Sequence, residues 1–175
     1  FIICPEKDID CFNPINVAKL LEGDDTGFPP CTARAALEML KFYNIDIKGK
    51  ETVVVGRSMV VGKPLSMMLL KENSTVTICH SKTIDLPEVT RRADILIAAI
   101  GKSRMITKEY IKENATVIDV GINADNEGKI TGDVDTDDCI EKAGFVTPVP
   151  AGVGSVTTAI LADHVVKACK NALIK

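Results

Sequence analysis

Between positions 52 and 149 the chain carries five short apolar runs, TVVV, TVTIC, ILIAAI, TVIDV and FVTPV, rich in β-branched residues and separated by polar or helix-forming stretches. Strands joined through helices do not pair as hairpins, because each connection has to cross over the sheet. The pattern therefore predicts an α/β fold, a mostly parallel sheet with helices on both faces. KPLSMMLLKEN, DLPEVTRRAD and TKEYIKEN are read as the helical or polar stretches between strands and KITGDV as an added edge strand. Upstream, INVAKLLE is expected to make two helical turns before EGDDTGFPP breaks it. Thr32 is expected to cap a second helix whose Ala33, Ala36, Leu37 and Leu40 share one face. The tail 155–175 places Leu161, Val165, Ala168 and Ala172 on one stripe, so a long amphipathic helix is expected to return toward the N-terminal segment. Met67, Met68, Leu69 and Leu70 read as core, and His164, outside every motif, as a surface or packing residue.

A formal charge of -3 and a pI near 5.4, with Lys and Arg scattered among acids, lack the basic excess that draws a protein to a phosphate backbone, so no nucleic acid partner is expected. ILIAAI, the longest purely apolar run, is far shorter than the roughly 18 residues of a membrane span. Six cysteines without a CxxC pair read as free thiols in a reducing compartment, and no metal site is expected. The chain opens FIIC without Met and without a secretory signal, so it is expected to be a piece of a longer protein.

VVVGRSMVVGKP, at 53–64, reads as a strand that breaks into a glycine-punctuated turn and then a helix, a construction that holds phosphate. A triphosphate loop needs a hydroxyl after Gly-Lys to bind magnesium, and Pro64 stands there; the spacer is also one residue too long. The dinucleotide fingerprint is not matched letter for letter, yet its physical needs are met. Gly56 permits the tight turn, Gly62 permits close approach of backbone, and the helix amino end is expected to offer unpaired N–H groups. The second strand ends in His80, Ser81, Lys82 and Thr83 with no carboxylate before Asp85. An acid there would accept from a ribose 2′-hydroxyl and repel a 2′-phosphate; donors and cations, Arg57 included, favour NADP over NAD.

Five stretches in order resemble the bifunctional methylenetetrahydrofolate dehydrogenase/methenyltetrahydrofolate cyclohydrolase family: PEKDIDCFNPINV, PPCTARAALEML, VVVGRSMVVGKPLSMMLL, TVTICHSKT with VIDVGIN, and GDVD followed by TPVPAGVGSVT. The resemblance implies a cytosolic, usually dimeric enzyme of one-carbon metabolism with a Rossmann-like cofactor domain. It oxidises 5,10-methylenetetrahydrofolate with NADP and hydrolyses the methenyl product to the 10-formyl compound. By residue match it implies that Gly56, Arg57 and Ser58 lie along the cofactor phosphates and ribose, Ser81 beside the 2′-phosphate, and Ile122 with its backbone at the carboxamide. It implies that Asp10 binds the pterin ring and that Pro150, Ala151, Gly152, Val153 and Gly154 close the folate side. Taken alone, Asp10 could equally be a helix or loop cap, and Ser155 the N-cap of the helix after that turn. The organisation implied is 1–50 as part of the folate-binding catalytic domain, 51–154 as the NADP-binding domain, and 155–175 as the returning helix.

The chain departs from the family pattern on the folate side. The family usually has DGF-H-P, PCTP-x-G and PVPGGVGPMT, where this chain has Cys11 with Asn13, Ala33 with Ala35, and Ala151 with Ser155 and Val156. The family's Tyr-x-x-x-Lys cyclohydrolase pair is absent, since neither Tyr43 nor Tyr110 has a lysine four residues on; it is expected upstream of Phe1. Two other readings stay open on the residues: a non-catalytic NADP-binding module, and another dinucleotide oxidoreductase sharing the fold.

Overall fold

The computed structural model describes residues 3–125 and 127–173. The elements run α1 (Pro14–Glu22), α2 (Cys31–Phe42), β1 (Glu51–Val55), α3 (Gly62–Lys71), β2 (Thr75–Cys79), α4 (Leu86–Thr90), β3 (Ile95–Ala98), β4 (Thr116–Asp119), β5 (Asn123–Ala124), β6 (Ile130–Thr131), α5 (Thr136–Cys139), β7 (Phe145–Val146) and α6 (Val153–Leu173). The five apolar runs supply one sheet in the order β2-β1-β3-β4-β7, with every pairing parallel.

Alternation along the strands explains why both faces are covered. Val54, Ile95, Ile97 and Ile118 point into a cluster with Leu37, Leu40, Leu65 and Leu69 of α2 and α3. Val53, Val55, Leu96, Ala98 and Val117 point into a second cluster with Ala93, Ile106, Ile111 and Cys139. A strand buried on both sides has no polar face to show, hence the unbroken apolar runs. The helix after β1 packs on one face and the one after β2 on the other, so the chain changes direction between β1 and β3. Open α/β sheets bind ligands in the crevice that opens at the carboxyl ends of such strands.

Several expectations are corrected. The N-cap of α2 is Pro30 and Thr32 lies inside the helix, which is capped from a distance by Asp10. TKEYIKEN forms only a 3-10 turn, Lys108–Tyr110. KITGDV does not extend the main sheet; Ile130 and Thr131 pair antiparallel with Ala124 and Asn123 as a separate two-stranded ribbon. Met68 and Leu69 are core, but Leu70 is 56% exposed and Met67 half-buried. On α6 the inward face is Val153, Val156, Ile160 and His164, whereas Leu161 and Val165 of the expected stripe are 40% and 50% exposed. The six cysteines are unpaired thiols, Cys4 and Cys169 at the surface. No helix among the described residues is long and apolar enough to cross a membrane.

Candidate functional site

Gly56, at the end of β1, adopts φ +136 and donates its N–H to the Cys79 carbonyl at 2.9 Å. A Cβ on it would run into the Ala99 carbonyl oxygen, and one on Gly62 into the carbonyl oxygen of Gly56, so both glycines are required by close backbone approach. Ser58 then closes the amino end of α3. Its Oγ accepts from Val61 N at 3.0 Å and from Gly62 N at 3.4 Å, and its carbonyl accepts from Lys63 N at 3.1 Å. Pro64 has no N–H, so the helix end is satisfied from within, contrary to the expectation of unpaired groups there. The free donors lie one step earlier. Among the described residues the backbone N–H groups of Arg57, Ser58, Met59 and Val60 have no protein acceptor, and all four residues are exposed. Consecutive free N–H groups on an exposed turn suit an anion.

Beyond β2, His80 N donates to Thr83 Oγ1 at 2.9 Å and Lys82 N to His80 Nδ1 at 3.1 Å, leaving Ser81 and Lys82 exposed. Arg57, Lys63, Lys82 and Lys102 all follow strands β1, β2 or β3, are exposed, and have no ion-pair partner among the described residues. Lys41, Lys71 and Lys112, elsewhere on the molecule, are paired at 2.5, 2.7 and 2.6 Å. Positive charge therefore stands uncompensated along the carboxyl edge of the sheet. A cavity of about 550 Å³ lies instead beside α1, α2, α3 and α6. Its Arg34, Lys41 and Lys71 are already paired with Glu38, Glu72 and Asp25, and its Lys167 reaches the Asp25 carbonyl, so it offers a phosphate little.

Two buried acids organise the loops beyond β3 and β4; sequence reasoning singled out neither. Asp119 Oδ1 accepts from Gly121 N at 2.9 Å and Asp133 N at 3.0 Å, and Oδ2 from Val134 N at 2.9 Å. Burial pushes this carboxyl up to about 6 despite those three bonds, and the neighbouring Asp133 adds to the rise. Asp133, fully buried, accepts from the backbone of the 100–102 turn and from Asn123. The available signal was an aspartate closing an apolar strand, as in TVID, with a second in GDVD. Lys102 was also missed, though a Gly-Lys pair ends the run ILIAAI.

Ile122 is 70% exposed and directly follows Gly121; its Cδ1 lies 3.9 Å from where a Cβ on Gly154 would stand. The two thus meet at one lip of the crevice. In the turn between β7 and α6 the Val149–Pro150 bond is cis, Ala151 adopts φ +70, and Gly152 packs against the Pro148 carbonyl so closely that a Cβ would collide. Gly152 and Val153 are buried, Pro150, Ala151 and Gly154 exposed. Ser155 is the third residue of α6 rather than its N-cap.

Asp10 lies elsewhere, and its Oδ1 accepts from Cys31 N at 2.7 Å, capping α2. Its loop is held by His164, whose Nδ1 is 2.8 Å from the Ile9 carbonyl and 3.6 Å from Cys31 Sγ, with the ring tilted against Phe28. His164 is eleven residues past Val153, so the Ile9–Asp10 loop stands ~16 Å along α6 from the 150–154 turn. Asp8 anchors the same loop through Phe12 N at 2.9 Å, Asn13 N at 2.7 Å and Asn16 Nδ2 at 2.9 Å. Burial raises its carboxyl, but these bonds outweigh it and leave the group below the usual carboxylate value. Cys11 and Ala151, two departures from glycine in the family pattern, both sit in the left-handed region, at φ +63 and +70. Burial pushes the Cys11 thiol up to about 11, helped by Asp8 and Asp10. Asn13 caps α1, accepting from Ile15 N at 2.9 Å, and Ala33 and Ala35 lie fully buried in α2.

Residues 30–173 match the family described as tetrahydrofolate dehydrogenase/cyclohydrolase, NAD(P)-binding domain. The chain is 66% identical over 168 residues to bifunctional protein FolD of Alkaliphilus oremlandii (strain OhILAs), an alignment covering 96% of this chain and 59% of that protein. Among solved structures, the bifunctional FolD methylenetetrahydrofolate dehydrogenase/cyclohydrolase of Campylobacter jejuni is similar with a TM-score of 0.95 and 45% identity, over 97% of this chain and 60% of its own. The Trypanosoma brucei FolD, complexed with NADP cofactor and inhibitor, gives a TM-score of 0.92 and 38% identity, over 98% and 61% of the two chains. The chain spans about three fifths of the length of the curated relatives it matches. Sequence likeness and a shared sheet agree across nearly the whole of this chain, which belongs to the tetrahydrofolate dehydrogenase/cyclohydrolase family and contains its NAD(P)-binding domain.

Proposed function

We propose that the chain is the NADP-binding part of a 5,10-methylenetetrahydrofolate dehydrogenase whose intact form also hydrolyses 5,10-methenyltetrahydrofolate to the 10-formyl compound. The observation that carries this reading is the carboxyl edge of the sheet, where the free N–H groups of the 57–60 turn and the uncompensated Arg57, Lys63 and Lys82 face no carboxylate from β2 until Asp85. Those donors fit a dinucleotide with a 2′-phosphate, and the Cβ-free surfaces of Gly56 and Gly62 let the turn close tightly around it.

In this reading Gly56, Arg57 and Ser58 line the phosphates and ribose, and Ser81 with Lys82 receives the 2′-phosphate. Ile122 offers backbone to the carboxamide, and Asp10 with the turn Pro150, Ala151, Gly152, Val153 and Gly154 walls the folate side. NADP, when bound, supplies the hydride acceptor. The residues of this chain hold and orient the two reactants, which is where the rate of such a transfer is won. Proton chemistry of the cyclohydrolase step is assigned to the Tyr/Lys pair of a family N-terminal domain, none of it to this chain. The intact protein is placed in the cytoplasm as a homodimer, in keeping with its free thiols and with the family.

Calorimetric titration tests the cofactor assignment. NADP should bind this chain at least about tenfold more tightly than NAD, roughly 1.4 kcal/mol, a modest figure for charge-assisted contacts. Arg57→Ala should weaken NADP and leave NAD nearly untouched. Equal affinity, or preference for NAD, sinks the assignment.

A further inference from the structure

Asp133 is fully buried and makes no ion pair among the described residues. Four N–H groups converge on its carboxylate instead. Oδ2 accepts from the backbone of Ile100 at 2.5 Å and of Gly101 at 3.0 Å; Oδ1 accepts from the backbone of Lys102 at 2.8 Å and from Asn123 Nδ2 at 2.9 Å. Three consecutive N–H groups turned onto one carboxylate specify the 100–102 turn, whose Gly101 adopts φ +72. The fourth ties that turn to the segment following β4, which sheet pairing no longer joins to it, since the β3–β4 register ends at Ala98 and Asp119.

The support behind Asp133 is as closely specified. Asp119 accepts from the backbone N–H groups of Asp133 and Val134, and its own N–H donates to Thr147 Oγ1 at 2.8 Å. Two glycines make room: a Cβ on Gly121 would strike the Asp133 carboxylate, and one on Gly132 would strike that of Asp119. A buried carboxylate without a cation is costly, and an apolar side chain would fill the same volume at less expense. What an apolar residue would not do is hold four donors from two loops in one arrangement.

A dinucleotide at this fold's switch point spreads from the end of β2, across β1, to the ends of β3 and β4. The 100–102 turn and the Ile122–Asn123 segment lie under the half distant from β2. The two halves meet where the ends of β1 and β3 run side by side, with Gly56 packed on Ala99 and Ala99 N donating to the Val55 carbonyl at 2.8 Å. We infer that Asp133 is a positioning residue for the nicotinamide half of the cofactor site, acting through the Ile100, Gly101 and Lys102 backbone and Asn123, and that the adenosine half does not depend on it. This rests on the NADP reading above.

The test titrates wild type and Asp133→Asn with NADP and with adenosine 2′,5′-bisphosphate, which keeps the adenosine and its 2′-phosphate but has no nicotinamide. An asparagine offers one acceptor oxygen where the carboxylate offers two, and turns an N–H toward donors. NADP affinity should fall roughly tenfold or more while the bisphosphate changes by less than about twofold. Asp94→Asn, at the opposite edge of the sheet, where Asp94 accepts from Glu51 N at 3.0 Å, should leave both affinities unchanged. Equal weakening of both ligands by Asp133→Asn overturns the inference in favour of a general structural role, and unchanged NADP affinity overturns it outright. A wild type that binds neither ligand defeats the NADP reading and the inference with it. Should Asp133→Asn fail to melt cooperatively, Asn123→Ala removes a single donor from the half-buried side. It should weaken NADP about threefold with the bisphosphate unchanged, and an unchanged NADP affinity would again overturn the inference.

Discussion

At the scale of single residues, Asp119 and Asp8 show how the same group is driven in opposite directions by its surroundings. Each accepts three N–H bonds, yet burial wins at Asp119, which rises to about 6, and the bonds win at Asp8, which falls. A folded-state value raised above 3.8 means that Asp119 favours folding at low pH, and that this contribution is lost as pH rises through about 6. A rise from 3.8 to about 6 corresponds to about 3 kcal/mol. Asp8 acts with the reverse sign: its contribution is present above the unfolded value and lost on acidification through its lower folded value. The two overlap in a bulk measurement, so the Asp119 share is read as a difference. Urea unfolding of wild type and Asp119→Asn between pH 4 and pH 7 should show the wild type losing stability relative to the variant as pH rises. A difference that does not change with pH would remove the assignment.

At the scale of elements, α2 begins without a capping side chain of its own; Pro30 precedes it, and the carboxylate of Asp10 takes the Cys31 N–H from 21 residues away. One residue is thus offered two tasks, helix cap and pterin ligand. Substitution separates them, because asparagine caps as well as aspartate while lacking the charge. Asp10→Ala should cost about 1 kcal/mol of stability, and Asp10→Asn much less. If Asp10 also grips the folate, both variants of a chain joined to a family N-terminal domain should raise KM for methylenetetrahydrofolate with NADP affinity unchanged. An Asn variant with an unaltered folate KM would leave the residue as a cap alone.

At the scale of the whole molecule, the proposed folate site has one wall. The Ile9–Asp10 loop and the 150–154 turn stand at two levels of α6, ~16 Å apart, too far for one to close the site over the other. We expect the 175-residue chain to bind NADP yet to produce no NADPH with methylenetetrahydrofolate above background. The chain joined at Phe1 to the N-terminal domain of a relative should produce it. Absorbance followed on both proteins decides: turnover by the chain alone would show that the placement of the site is wrong, and inactivity of the joined protein would count against the dehydrogenase reading.

Sequence alone determined the sheet and its parallel sense, because a strand buried on both faces must be apolar throughout and a crossover needs a helix's length of chain, both local requirements. It also determined the stripe of α2, whose Ala33, Ala36, Leu37 and Leu40 are all buried, and the need for glycine at 56 and 62. Tertiary structure alone decided which stripe of α6 faces inward. Sequence periodicity picked out Leu161 and Val165, yet Val153 is buried and Val156 and Ile160 partly buried because that side packs on α2, and His164 is buried because Ile9, Cys31 and Phe28, more than a hundred residues away in the chain, receive it. The amino end of α3 was likewise closed by a serine side chain whose rotamer no pattern announces. Asp119 and Asp133 read in sequence as ordinary polar residues at strand ends. Their importance comes from donors spread over 100–134, and hydrogen bonds between distant segments leave no periodicity to find.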